Sequence, residues 1–502
     1  MSHLAEQDHP QSGAPSLITN WISLCGIFLA AASLCAVLVL MGIDLLVGFH
    51  NPYMGIVTYL ITPGFLILGL VLTVGGLVLE RRRRHRMAPG QVPQFPRIDF
   101  NIPRQRNVFM AVVVGAFVFL LLTAIGSYRT YQFTESVTFC GRLCHSVMTP
   151  EYTAYLNSPH ARVTCTECHI GAGATWFARS KLSGAYQVYA TLADKYPRPI
   201  PTPIQNLRPA QETCEQCHWP QKFFGAVERT RTHFLSDEKN SPWTIQMLIK
   251  VGGGDPTHGP VGGIHWHMNV VNKIEYIAKD ETREAIPWVR ATDQGGRVTV
   301  YETKEDRLTP EQIGKGPMRR MDCIDCHNRP THIFRSPNES LDTSLLLGRI
   351  DPSIPSIKKN AAASLMQACQ TQAEGLAKIG EKLTKDYPEF TDQKKIQAAI
   401  GEVQRIYQNN FFPEMKSNWR VHPDHIGHLN WNGCFRCHDG EHVSASGKVI
   451  SNECNTCHIM MAQGRGTKLE SVNPQGLKFQ HPGEEVPEDA KCTSCHTGGP
   501  QD

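Results

Sequence analysis

The chain has 502 residues, of which 50 are basic and 46 acidic, for a formal net charge of +4. Eight of the basic residues and five of the acidic ones precede residue 107, and the remainder is balanced at 42 against 41. That balance lacks the basic surface that nucleic-acid binding needs and excludes it as a leading function.

The first elements in chain order are apolar. Three runs, roughly Ile18–Leu40, Ile56–Leu79 and Val108–Ile125, each approach the ~20 residues that a bilayer core requires. No lysine or arginine occurs in residues 1–80, and the first run is too long and lacks the basic start of a signal peptide. Residues 1–127 are therefore predicted to form an anchor of three transmembrane helices. Arg81, Arg82, Arg83, Arg84, Arg86, Arg97, Arg104 and Arg106 all fall between the second and third runs, while the short first loop, Asp44–Tyr53, has none. The positive-inside rule puts the arginine loop and the N-terminus in the cytoplasm and everything after the third helix outside it. Cys25 and Cys35 read as small apolar residues of the first span, and His50 as an interfacial residue.

Fourteen of the seventeen cysteines lie beyond this point in seven repeats, each closed by a histidine. They are Cys140/Cys144/His145, Cys165/Cys168/His169, Cys214/Cys217/His218, Cys323/Cys326/His327, Cys434/Cys437/His438, Cys454/Cys457/His458 and Cys492/Cys495/His496. Six read CxxCH and the first reads CxxxCH. The two thiols of such a site form thioethers with the haem vinyl groups and the histidine ligates iron, so the pattern predicts seven covalently bound c-type haems. Zinc sites and disulfide frameworks do not require a histidine directly after the second cysteine. Haem propionates would make the loaded domain acidic, which favours basic cytochromes or other haem proteins as partners.

The first four sites and the membrane helix before them resemble the NapC/NirT family of membrane-anchored quinol-oxidising cytochromes. The marks are a methionine just after the first site (Met148), the run SPH…CxxCH from Ser158 to His169, and His332 five residues beyond His327. The resemblance implies His160 as distal ligand of the fourth haem, opposite His327, and His332 as distal ligand of the second, opposite His169. It implies Met148 as a ligand of the first haem. Here, however, the methionine is one position later than in the family and the site has an extra residue, so His145 and Met148 both stay open. Residues Ala174–Leu192 read as an amphipathic helix with Phe177, Gly184, Val188 and Leu192 on one face. In the family this helix lies on the membrane and helps to build the quinol pocket. Lys181 matches the family's lysine, and Gln187 stands where the family has an acidic residue. Since quinol oxidation releases protons, Asp194 or Glu135 would then have to accept one.

About 105 residues separate the third and fourth sites. In them, Lys273–Ile277 and Arg297–Glu302 alternate as strands and are predicted to form a small β-hairpin. One of His233, His258, His265 and His267 is expected to complete the third haem, with His267 preferred. An extended GIHWHM segment would put His265 and His267 on the same face.

Residues 357–410 have no haem site and are predicted to be a helical hairpin, Lys358–Lys385 and Asp392–Asn409, spacing two haem groups. Cys369 within it reads as a buried free thiol. Around the fifth to seventh sites, His422, His425, His428, His442 and His481 are the candidate distal ligands, with His425, His428, His442 and His481 foremost. Eleven histidines beyond the motifs suffice to coordinate every iron on both sides, which favours electron carriage over small-molecule chemistry.

The predicted fold is mainly α with much irregular structure: three transmembrane helices plus an extracytoplasmic multihaem c domain with a small β-hairpin insertion. The divisions are 1–127 for the anchor, 128–335 for a four-haem domain with an insertion at about 219–320, and 336–502 for a helical spacer and a three-haem domain. As a whole the chain resembles seven-haem inner-membrane cytochromes of metal-reducing bacteria. That resemblance implies an inner-membrane quinol dehydrogenase with its haem domain on the periplasmic side. It would oxidise menaquinol or ubiquinol and deliver electrons to periplasmic c-type cytochromes in anaerobic or extracellular respiration. An electron-relay subunit of a larger respiratory complex, or a reductase with one open haem, are the alternatives. The oligomeric state stays open.

Overall fold

The structure is a computed structural model, and it describes residues 17–18, 20–47, 61–86, 99–143, 145–171, 173–204, 208–253, 262–268, 272–466, 469, 471–483, 485–487 and 490–500. His50, Arg97, Cys144 and His258 lie outside the described residues, as do the side chains of His145 and Phe177. The chain divides into two compact units. One comprises Met1–Phe133 with Ala172–Ala185, the other Thr134–Gly171 with Tyr186–Asp502.

The first unit is helical. Helices α1 (Trp21–Val47) and α2 (Thr62–His85) contain segments long and apolar enough to cross a membrane, Trp21–Gly42 and Thr62–His85. The third expected span, Val108–Ile125, falls inside α3 (Pro103–Thr134), a 32-residue helix several of whose side chains lie outside the described residues. Two spans rather than three therefore meet the length and apolarity test among the described residues.

Small residues let α1 and α2 approach closely. Ser23, Gly26, Ala30 and Ser33 recur on one buried face of α1, and Gly69 and Gly76 are buried on α2. A Cβ on Gly26 would lie 2.5 Å from the Thr73 nitrogen, and one on Gly69 would lie 2.6 Å from the Ala30 nitrogen. Ser23 Oγ donates to the Thr73 carbonyl at 3.1 Å and Asn20 Nδ2 to that of Gly76 at 3.4 Å. In a bilayer, close backbone packing with interhelical hydrogen bonds would replace the hydrophobic drive that lipid cannot supply.

The second unit has a helical core and two antiparallel sheets. Helix α4 (His145–Leu156) precedes α5 (Ala174–Leu192), whose residues up to Ala185 belong to the first unit, and the core helices are α6 (Pro337–Leu346), α7 (Ile357–Leu365), α8 (Gln372–Asp386) and α9 (Gln393–Asn410). Leu341, Ile354, Ala361, Ile379, Leu383 and Val403 pack at their centre, all essentially inaccessible. The expected helical hairpin is instead three helices. Thr371 accepts a hydrogen bond from the Glu374 nitrogen and starts α8 afresh, and Asp392 caps α9 in the same way. Cys369 sits in the break between α7 and α8, half-buried, with Sγ directed at the Gln367 carbonyl.

Strands β1 (Val227–Phe234) and β2 (Pro242–Ile249) pair, and β8 (His458–Arg465) adds to β2. The second sheet has the order β6 (Arg319–Arg320), β3 (Lys273–Ile277), β4 (Trp288–Thr292), β5 (Val298–Thr303), β7 (His442–Ser444). The two strands expected to form a hairpin are present but do not pair with each other, because β4 lies between them. Residues 442–444 and 458–465 thus complete sheets that the insertion begins. The insertion is also tied to the helical core. Asp342 accepts from the Phe234 nitrogen at 2.9 Å and from His233 Nδ1 at 3.0 Å, and pairs with the buried Lys358 ammonium at 2.6 Å.

Candidate haem centres

Each attachment site is a single tight turn. The histidine nitrogen donates to the first cysteine's carbonyl at 2.8 Å in the third, fourth and seventh sites and at 3.0 Å in the fifth. An i→i+4 closure of this kind puts cysteines three apart on one face, where two vinyl groups of one haem can meet both thiols. At the first site the backbone of Phe139–Leu143 takes a π turn. Its wider i→i+5 closure absorbs the extra residue of CxxxCH. Met148 is half-buried on α4, one turn beyond His145.

The two thiols of a site are not equally enclosed. At the third site Cys214 is half-buried while Cys217 is exposed, and at the seventh Cys492 is half-buried while Cys495 is exposed. The motif alone, which treats both cysteines of a pair as equivalent, does not foresee this difference. The turn itself does not decide it: the sixth site has the same 3₁₀ turn, Cys454–Thr456, yet there Cys454 is the exposed thiol and Cys457 the half-buried one.

The structure brings six of the seven motif histidines to a second imidazole. Ring centroids are 6.2 Å apart for His169–His332, 6.0 Å for His218–His160, 6.4 Å for His327–His265, 5.8 Å for His438–His267, 6.2 Å for His458–His428 and 5.9 Å for His496–His481. A metal–imidazole bond is about 2 Å long and a ring centroid lies about 1 Å behind its nitrogen, so two imidazoles sharing one ion have centroids about 6 Å apart. The residues therefore fit a haem iron held from both sides. Among the described residues no group of three or more His, Cys, Asp or Glu side chains is arranged to hold a bare metal ion. Two imidazoles suffice only where a porphyrin supplies the other donors.

The hydrogen bonds set the ring tautomers. Nδ1 meets a backbone carbonyl in His332 (Glu151, 2.9 Å), His265 (Val251, 2.7 Å), His267 (Ile264, 2.8 Å), His438 (Ser451, 2.7 Å) and His160 (Pro330, 3.3 Å). A carbonyl only accepts, so Nδ1 carries the proton and Nε2 offers its lone pair. Nδ1 of His428, His458 and His481 is buried without a hydrogen-bond partner among the described residues. Burial, above all, lowers the pKa of His169, His267, His327, His332, His428, His458 and His496. Each is thereby kept in the neutral form that binds metal.

Several placements differ from the sequence expectations. His160 meets His218 of the third site, not His327 of the fourth. His267 meets His438 of the fifth site, not the third. His425 and His442 face no motif histidine, because both nitrogens of each ring are engaged. His425 contacts Glu284 Oε1 at 2.6 Å and the Asp325 carbonyl at 3.3 Å, and His442 contacts Asp439 Oδ1 at 2.8 Å and the Ile286 carbonyl at 2.7 Å. His422 is likewise buried between Thr202 and Ser417. His265 was not singled out in the sequence because an extended reading gave it the same face as His267. In a 3₁₀ turn of about 120° per residue, positions two apart splay to different sides, and Ile264–Met268 is such a turn.

Consecutive attachment sites are neighbours. Cys165 is hydrogen-bonded to Cys140, which lowers its thiol to about 7, and Cys214 to Cys323, which lowers Cys214 to about 7 and raises Cys323. Burial and then the adjacent Cys434 push Cys326 up to about 11, and the same two causes push Cys457 up to about 11. Cys168 is raised by burial and by Cys214, and Cys492 by burial and by Cys454. These electrostatic neighbours run in sequence order from the first site to the seventh.

Lys181 and Gln187 both lie on α5, Lys181 half-buried and Gln187 exposed. The same helix leaves Leu182, Tyr186, Tyr189 and Leu192 more than half exposed.

Comparison with known proteins agrees with this chemistry. Residues 102–199 match the N-terminal region of the NapC/NirT cytochrome c family, and residues 427–501 match cytochrome c3. The chain is 44% identical over 494 residues, covering 96% of each protein, to the cytochrome c-type protein ImcH of Geobacter sulfurreducens. No solved structure matches it.

Proposed function

Because the chain belongs to the NapC/NirT-type, ImcH-like multihaem c-type cytochromes, we propose that it is an inner-membrane quinol dehydrogenase with seven covalent haems. It would take electrons from menaquinol or ubiquinol and deliver them to periplasmic c-type cytochromes. The observation that carries this reading is the set of six imidazole pairs at 5.8–6.4 Å, each built on a motif histidine. An iron closed on both sides has no position for a substrate. When bound, the haems supply one-electron redox chemistry, and the protein's residues decide where electrons enter and how each centre is held.

The proposed distal ligands are His332, His160, His265, His267, His428 and His481 for the second to seventh haems in order, with the first held by His145 or Met148. Cys140 and Cys144, Cys165 and Cys168, and their five counterparts attach the haems. Residues 1–127 would anchor the chain by three spans, α3 carrying the third, with the arginine loop in the cytoplasm and the haem domain in the periplasm. The exposed apolar side chains of α5 suit a helix lying in the interface, where tyrosines are favoured. On that helix, Lys181 would bind a quinol oxygen and Gln187 would orient the ring. A Lys181→Ala protein that retains all its haems should oxidise a menaquinol analogue at least about tenfold more slowly, since a hydrogen bond from a charged group contributes about 1.5–3 kcal/mol. An unchanged rate would remove Lys181 from the quinol site.

A further inference from the structure

The turn Ile264–Met268 makes two ring contacts that belong to different haem groups. His265 lies parallel to His327 of the fourth site, with 5° between the ring planes, and His267 faces His438 of the fifth. The turn is itself fixed to the end of β2. The Ile264 nitrogen donates to the Lys250 carbonyl at 2.8 Å and that of His265 to Gly252 at 3.2 Å. Gly253, at φ +155, runs so close to the His265 backbone that a Cβ there would overlap it.

A second link joins the same two sites. Arg436, between Cys434 and Cys437, donates from Nη2 to the backbone carbonyl of Asp325, between Cys323 and Cys326, at 2.6 Å. The Asp325 carboxylate is buried and accepts from Arg319 and Tyr276 at 2.7 Å and from Arg283 at 2.8 Å. Arg436 Nη1 returns to the Arg283 carbonyl at 3.0 Å. The Asp325 carboxylate and the Arg436 guanidinium are thus each held by three or more partners, and a buried polar network held in this way rigidifies a structure.

We propose that the segment inserted between the third and fourth attachment sites is a splice, whose Ile264–Met268 turn supplies His265 to the fourth haem and His267 to the fifth, so that these two centres form the fixed junction of the two haem groups. The inference rests on the haem reading above and gives the insertion a task that this reading leaves open.

The test uses the full-length, haem-loaded protein and variants His265→Met, His267→Met and Arg436→Ala, with covalent haem content checked by mass. Low-spin bis-imidazole signals are counted by electron paramagnetic resonance, and each centre's potential is titrated with dithionite as reductant. Each His→Met variant should convert one bis-imidazole signal, a different one in each, and raise that centre's potential, because thioether ligation favours the reduced iron. A shift of at least tenfold in its reduction equilibrium is expected, about 59 mV for one electron. Arg436→Ala should perturb the same two signals and no others. A wild-type signal count in either His→Met variant, or both variants altering one and the same signal, overturns the splice. If Arg436→Ala abolishes haem loading, the two methionine variants decide alone. Quinol is absent from these measurements, so failure of the protein to oxidise quinol leaves the result intact. A wild-type protein without bis-imidazole signals would overturn the haem reading and the splice together.

Discussion

His332 donates from Nδ1 to the backbone carbonyl of Glu151 at 2.9 Å, and the Glu151 carboxylate lies 3.3 Å from the same nitrogen. Arg329, buried, holds that carboxylate with contacts at 3.1 and 3.2 Å and donates to the His332 carbonyl at 2.6 Å. Glu151 is thus a positioning residue for the proposed distal ligand of the second haem. Its negative charge makes the imidazole a stronger donor and favours ferric iron. Glu151→Gln should raise the potential of one haem by up to about 60 mV, a tenfold change for a one-electron couple. Redox titration followed by electron paramagnetic resonance would show it, and an unshifted set of potentials would contradict it.

Asp342 and Lys358 form a buried ion pair at 2.6 Å that also ties β1 to α6 and α7. Removing one partner leaves an uncompensated charge in the core. Asp342→Ala should destabilise the haem domain by about 3–5 kcal/mol, and the double variant Asp342→Leu/Lys358→Met should recover much of that loss. Chemical denaturation of the loaded protein measures both.

His422 is buried against Phe334, and burial lowers its pKa to about 4, with Arg329 adding to the shift. A histidine whose folded pKa lies below its unfolded value, about 6.5, has no effect on stability above pH 6.5. As the pH falls from about 6.5 towards 4 the unfolded chain binds the extra proton and the folded state loses up to about 3 kcal/mol, with no further loss below. A His422→Asn protein should show a shallower fall in stability across that window. An identical pH profile would show that His422 does not govern it.

The anchor should be sensitive at its glycines. Gly26→Leu or Gly69→Leu places side-chain atoms where backbone of the facing helix already lies. Overpacking of this kind costs about 1–3 kcal/mol or forces the helices apart. Thermal unfolding in detergent, read by loss of cross-linking between cysteines introduced on α1 and α2, should shift to lower temperature. Gly75→Leu, at a position with open space around it, should not shift it.

What is legible in the sequence follows the range over which each feature is encoded. An attachment site is five or six consecutive residues, so Cys165, Cys168 and His169 announce themselves without any fold. A distal ligand is chosen by tertiary structure, and spacing carries no information about it. That is why His160 and His267 face other sites than expected, and why His425 and His442 serve as hydrogen-bonded core groups instead. His332 comes to His169 as the family resemblance implies. The helix of residues 372–386 begins at a cap, Thr371, that a periodicity reading of Lys358–Lys385 passes over. Strand β4, Trp288–Thr292, is absent from the sequence expectations, and its presence turns the expected hairpin into part of a five-stranded sheet.

The measurement that bears most directly on the proposed function is stopped-flow reduction of the purified, detergent-solubilised protein by a menaquinol analogue, with and without a quinol-site inhibitor. Rapid, inhibitor-sensitive reduction of several haems is the predicted result. Haems that stay oxidised with the quinol analogue, in protein that dithionite reduces fully, would contradict the quinol dehydrogenase reading and point to a protein partner as the source of electrons.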